Sequence, residues 1–216
     1  MTEQLEQQLD DFRADKRREA LSSLCRKVKA GQMVLPEPGS FVNLHCHTFF
    51  SYNTYGYSPT KFAWFSRKAG LAVAGTVDFD VLDALDEFRS ACKKLGLKGC
   101  SGLETRVFVP QFSTRVINSP GEPGISYHMG VGFPKSKVPK AQQPFLQGLK
   151  ETAQKRNREL MGRVNAYLRP VELDYERDVL TLTPAGNATE RHMCVAYAHK
   201  AAEVFGEGEA LAQFWS

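Results

Sequence analysis

The chain has 216 residues, 42% of them hydrophobic, and a formal net charge of +4. That length and apolar content suffice for a buried core, and one main domain is expected. No apolar run reaches the roughly 18 residues that a membrane helix needs, and the opening MTEQLEQQLDDF lacks the basic-then-apolar order of a secretory signal. A soluble, cytoplasmic protein with no membrane partner is the expectation.

The five cysteines, Cys25, Cys46, Cys92, Cys100 and Cys194, are odd in number, scattered and free of any CxxC pair. They argue against a disulfide framework or a cysteine zinc knuckle and read as reduced thiols. Lys and Arg gather in DKRREALSSLCRKVK and between Lys135 and Arg169, with acidic residues interspersed and few aromatics. Solvated helix faces and a nucleic-acid surface both stay open there.

Residues 2–30 carry Leu5, Leu9, Phe12, Leu21 and Leu24 among charges and read as an amphipathic helix, an N-terminal helical extension that closes with a linker by residue 35. Within VLPEPGS the pattern changes to short apolar runs alternating with helical stretches, so residues 36–216 form the main α/β domain. FVNLHCH reads as a first strand. SPTKFAWFSRKAG reads as a helix with Ser58 at its N-cap, Pro59 in its first turn and Gly70 as its stop. LAVAGTV is a second strand, and VLDALDEFRSACKKLG a helix closed by Gly96. LKGCSGLETRVFV is a third strand with a bend expected at Gly102, and ISYHMGVGF a fourth. This alternation implies right-handed βαβ units and a parallel sheet or barrel, with its working edge at the C-terminal ends of the strands.

Between the third and fourth strands, QFSTRVINSPGEPG is polar, rich in Gly and Pro, and too long for a tight turn, which makes it a candidate active-site loop. A charge-rich helical insertion follows at about 140–170, then a short strand or loop and a last helix starting near Asn187 or Thr189.

The chemistry-bearing residues collect at the predicted strand ends. His45 and His47 sit at i and i+2 in NLHCHTFFSYN, so on a strand they share a face with Cys46 turned away. Asp78 and Asp80 follow in TVDFD, Glu104 in GLE and His128 in SYHMG. Imidazoles with a carboxylate suit zinc, manganese or iron. Each signal has a plainer alternative. HxH also occurs on ordinary amphipathic strands, Asp78 and Asp80 suit the cap of the helix beginning near Val81, and Arg106, on the same face as Glu104, could neutralise it without a metal. His192 and His199, seven apart on one helix, also read as solvent or core histidines.

NLHCHTFFS, GTVDFDVLDALDEF, GCSGLETRV and YHMGVGF, in that order, resemble the polymerase and histidinol phosphatase (PHP) domain over about residues 41–133, with GNATERHMCVAYAHKAAE a looser match. The resemblance implies a distorted seven-stranded β/α barrel of (β/α)7 type that holds one to three divalent metals and hydrolyses phosphate esters or diesters. Carried over by position, His45 and His47 match the opening metal pair, Glu104 the bridging carboxylate, His128 a histidine ligand and His192 a later histidine. The chain departs from the pattern where Phe79 replaces the central histidine of Asp-His-Asp and where Tyr52 stands near a usual aspartate. It also has no closing Asp-x-His motif before Ser216, so a barrel incomplete at its C-terminus is expected, as a fragment or as a degenerate member.

The expected catalytic residues are Glu104, Asp78 and Arg106, with the metal lowering the pKa of a bound water for in-line attack. Arg106 or Arg115 would clamp a phosphate oxygen, and the loop around Asn118 and Ser119 would cover a phosphorylated small molecule or oligonucleotide. A PHP-like module that binds without hydrolysing, and a nucleic-acid-associated factor, are the competing expectations.

Overall fold

The computed structural model describes residues 2–216, which divide into two compact units, residues 2–144 and 145–216. The first unit carries one curled four-stranded sheet, a half-barrel whose strands lie in the order β1 (Val42–Cys46), β2 (Val73–Phe79), β3 (Lys98–Phe108), β4 (Ile125–Val131). Strands β1, β2 and β3 are mutually parallel, as the βαβ pattern requires.

Helix α3 (Pro59–Lys68) connects β1 to β2, and α4 (Leu85–Leu95) connects β2 to β3. Ser58 starts α3 by accepting a hydrogen bond from the Lys61 amide at 3.0 Å, and Gly70, at φ 72°, supplies the left-handed residue beyond its end. Leu85, Phe88, Cys92 and Leu95 recur at helical spacing along α4 and are buried. Phe88, Cys92 and Leu95 meet Phe62, Trp64 and Ala74 in one core. No described helix is long and apolar enough to cross a membrane.

The N-terminal extension forms two helices, α1 (Thr2–Gln8) and α2 (Ala14–Lys29), rather than the single helix its periodicity predicts. Asp11 accounts for the break: its side chain accepts the Arg13 amide at 2.7 Å, a local bond that competes with helix propagation. The turn lets Leu9, Leu21 and Leu24 reach the core beside Trp64, so the extension forms one wall of it.

Strand β4 runs antiparallel to β3 and thereby departs from the expected parallel arrangement. Residues 109–124 supply only a short 3-10 turn, Pro110–Phe112, between the two strands. A parallel return needs a long crossover, usually a helix, whereas a loop suffices for an antiparallel one. Gly102, where a bend was expected, lies inside an unbroken β3. Its missing Cβ instead allows close approach, because a methyl there would meet the Gly130 carbonyl oxygen at 2.0 Å.

The second unit is helical. Its core gathers Val171, Leu173, Tyr175, Val179, Met193, Ala196 and Tyr197. Helix α5 (Gln143–Tyr167) accounts for the expected insertion, and α6 (Glu190–Phe205) and α7 (Glu209–Trp215) follow. The short strand or loop anticipated before α6 contains a 3-10 turn, Leu180–Leu182.

A buried ion pair ties α2 to α4. Arg17 is 2% exposed and presents two guanidinium nitrogens to the Glu87 carboxylate, one of them Nε at 2.8 Å. Glu87 also accepts the Thr60 hydroxyl at 2.7 Å. Removing one partner of such a pair strands the other charge, so Arg17→Met is expected to lower unfolding free energy by about 3 kcal/mol. Urea titration of both proteins measures it, and a loss below about 1 kcal/mol would show the pair to contribute no more than a surface contact.

Candidate metal centre

The two histidines reach a common point because of an irregularity in β1. Asn43 pairs with Ala74 and Cys46 with Thr76, so three steps along β1 match two along β2. In regular register His45 would stand opposite Thr76, whose side chain lies on the other face from Phe79 and from its partner Glu104. The extra residue is a β-bulge, and it turns both imidazoles onto the face of Glu104. Asn43 braces the bulge by accepting the His45 amide at 3.2 Å.

His45 Nε2 lies 2.9 Å and His47 Nε2 3.2 Å from the same Glu104 oxygen, Oε2. The three ligand atoms all fall within 4.8 Å of one another. Glu104 is 7% exposed, while the His45 side chain is 53% exposed and marks the open side of the cluster. Two imidazole nitrogens and one carboxylate oxygen form a donor set that fits a borderline divalent cation, with room for further ligands. Burial holds the His47 pKa below its ordinary value, against the opposing charges of Asp78 and Glu104. The ring is therefore neutral near pH 7, the form that binds metals.

Behind the cluster, Asp78 is buried and accepts three hydrogen bonds. The Thr48 amide donates to Oδ1 at 2.6 Å, the Thr48 hydroxyl to Oδ2 at 2.7 Å and the Ser51 hydroxyl to Oδ1 at 2.7 Å. Burial raises its pKa, and these three donors oppose the rise. Ser51 Oγ in turn lies 3.1 Å from His47 Nδ1. Phe79 stacks on the His47 ring with centroids 4.3 Å apart. Helix α4 has Ala84 at its N-cap and no side-chain cap, so neither Asp78 nor Asp80 caps it. Asp80 instead takes a left-handed conformation, φ 61°, and accepts the Thr105 hydroxyl at 2.6 Å.

The remaining expected residues make other contacts. His128 pairs with Thr105, whose side chain points away from Glu104's face, and it is exposed. Arg106 shares Glu104's face, but its ion pair is with Glu122 of the 109–124 loop, and its guanidinium lies 5.8 Å from the Tyr127 ring centroid. Arg115 is exposed. Asn118 accepts the Tyr127 amide at 2.8 Å and so ties the loop to β4, and Ser119 is buried against Glu122. In the second unit, His192 is buried at the start of α6, where its Nδ1 accepts the Thr189 amide at 3.1 Å in a capping box. His199, on the same helix, is exposed.

Sequence reasoning missed Ser51 and Thr48. Their signal was present in HTFFS, where a hydroxyl follows His47 at one residue and at four.

No protein-family model matches the chain, and no curated protein matches it. Solved structures share its fold, two of them as follows. One is an amidohydrolase from Chromobacterium violaceum with bound sulfate and no metal, 16% identical, with a TM-score of 0.56 over 81% of this chain and 54% of its own. The other is a candidate metal-dependent phosphoesterase from Bifidobacterium adolescentis, 19% identical, with a TM-score of 0.56 over 82% of this chain and 57% of its own. The chain thus spans little more than half the length of the structures it matches.

The His192 cap makes stability depend on pH. Burial pushes this imidazole down to about 4 from the ordinary 6.5, so below pH 6.5 the unfolded chain binds the proton first. Its contribution is complete above pH 6.5 and is lost as pH falls toward 4. The expected loss over that interval is about 3 kcal/mol by urea unfolding. His192→Gln keeps an acceptor that does not titrate and should flatten the dependence. Parallel pH profiles for the two proteins would remove His192 as its source.

Proposed function

We propose that the chain is a metal-dependent phosphoesterase of PHP type, with His45, His47 and Glu104 holding one divalent ion of zinc, manganese or iron. The observation that carries this reading is the meeting of both imidazole Nε2 atoms on one oxygen of a buried carboxylate. A divalent ion there supplies a lowered pKa for water and positive charge for phosphoryl oxygens. The order of the four motifs and the fold shared with a candidate metal-dependent phosphoesterase support the same reading.

The protein's own groups would do the rest. Glu104 brings the charge that an isolated pair of imidazoles lacks, and the exposed edge of His45 marks where a phosphomonoester, or the end of an oligonucleotide, would approach. Arg106 stands on the same face and is held by Glu122, so a phosphate oxygen taken up by Arg106 would displace that carboxylate. Further ions of the kind the family binds would need ligands besides these three.

One observation favours a second reading, a PHP-like module that keeps its ion and binds without hydrolysing. Phe79, where the family pattern has a histidine, packs flat on His47.

Titration of the purified protein with zinc or manganese, followed by assay of a chromogenic phosphate ester, separates the two. About one equivalent should bind. His45→Ala together with His47→Ala should weaken binding by more than about 100-fold, beyond what loss of an outer-shell group costs, with helical circular dichroism retained. Binding with no turnover would select the second reading. No binding by the intact protein would reject both.

A further inference from the structure

The Ser51 hydroxyl has one hydrogen and spends it on Asp78 Oδ1, at 2.7 Å. Asp78 has been stripped of water, being 1% exposed, and its two oxygens are also engaged by the amide and hydroxyl of Thr48. Ser51 is itself fully buried, so no solvent competes for its proton. Toward His47, 3.1 Å away, Ser51 Oγ can therefore act only as an acceptor. An acceptor at that position requires the hydrogen to sit on His47 Nδ1, which in the neutral ring leaves the lone pair on Nε2. That is the nitrogen facing Glu104 Oε2 at 3.2 Å, so a lone pair meets a carboxylate oxygen with nothing positive between them.

We infer that Ser51 and Asp78 are positioning residues that hold His47 as its Nδ1–H tautomer, and so reserve Nε2 for a divalent cation shared with Glu104. The inference rests on the metal-site reading above and gives Asp78 a role other than direct contact with a substrate. Asp78 orders the hydroxyl, the hydroxyl orders the ring, and the ring presents its lone pair. Phe79 restricts the same ring from its flat side, with an interplanar angle of 26°. The imidazole is thus constrained in tautomer by one neighbour and in tilt by another before any ion arrives, a pattern by which outer groups tune metal affinity.

Histidine nitrogen shifts from long-range proton–nitrogen correlation on the metal-free full-length protein read the tautomer directly. A protonated Nδ1 and a bare Nε2 on His47 are expected, and the opposite tautomer would overturn the assignment. Ser51→Ala should release the ring into a mixture of tautomers and weaken zinc binding by about 10- to 100-fold, with Ser51→Thr restoring the tautomer and most of the affinity. Affinity and tautomer both unchanged in Ser51→Ala would also overturn it. Should Ser51→Ala fail to fold, the shifts of the unaltered protein decide. If the unaltered protein binds no cation yet shows the Nδ1–H ring, the positioning role stands and the metal reading alone fails.

Discussion

The Asp78 carboxylate is the constraint on which the site depends. It sits at the end of β2, cut off from water, and burying a charge of that kind is costly unless hydrogen bonds compensate. Compensation comes from Thr48 and Ser51, which belong to the turn leaving β1. The same three bonds that satisfy the carboxylate therefore fix the path of the chain just beyond His47. Remove them and the turn would lose its anchor on the neighbouring strand, along with the ring that Ser51 faces.

The parts of the site that follow from residue type were legible in the sequence, and those that follow from register were not. His45, His47 and Glu104 meet as their pattern suggested, since HxH puts both imidazoles on one side of a strand. That this side is also Glu104's depends on a bulge, and a single inserted residue leaves no mark in a hydrophobic pattern. His128 shows the converse: its place on a fourth strand was read correctly, but the strand's direction and pairing decide the face, and those depend on the 109–124 loop. Arg106 was expected near Glu104 by spacing alone, and the acidic residue that claims it, Glu122, comes from a loop whose path the sequence did not fix.

The strand and helix order of the first unit was readable because caps and glycines bracket each element, as Ser58, Gly70 and Gly96 do. The N-terminal region was misjudged in one respect. Its apolar periodicity continues across Asp11, and only a local side-chain bond reveals the break there. That break has reach. Phe12, which follows Asp11, packs edge-on against Phe49, and the Arg17 guanidinium lies 5.1 Å from the centre of the same ring. Phe49 is flanked in sequence by Thr48 and followed shortly by Ser51, so α2 and Phe12 just before it buttress the turn that carries the Asp78 bonds.

The half-barrel also has two outer strands. Strand β1 exposes Val42 and Leu44, with Phe41 beside them, and β4 exposes Met129 and Val131. Strand margins can template pairing with another polypeptide, and on β4 the Asn118 side chain blunts this by accepting the Tyr127 amide and donating to the Tyr127 carbonyl. Since β4 is reversed, the two margins present opposite chain polarities relative to their inner neighbours, and a segment aligned parallel to β1 would have to lie antiparallel to β4. A strand of given direction would thus form different ladders at the two margins, evenly spaced slanted bonds where it runs parallel and alternating narrow and wide pairs where it runs antiparallel.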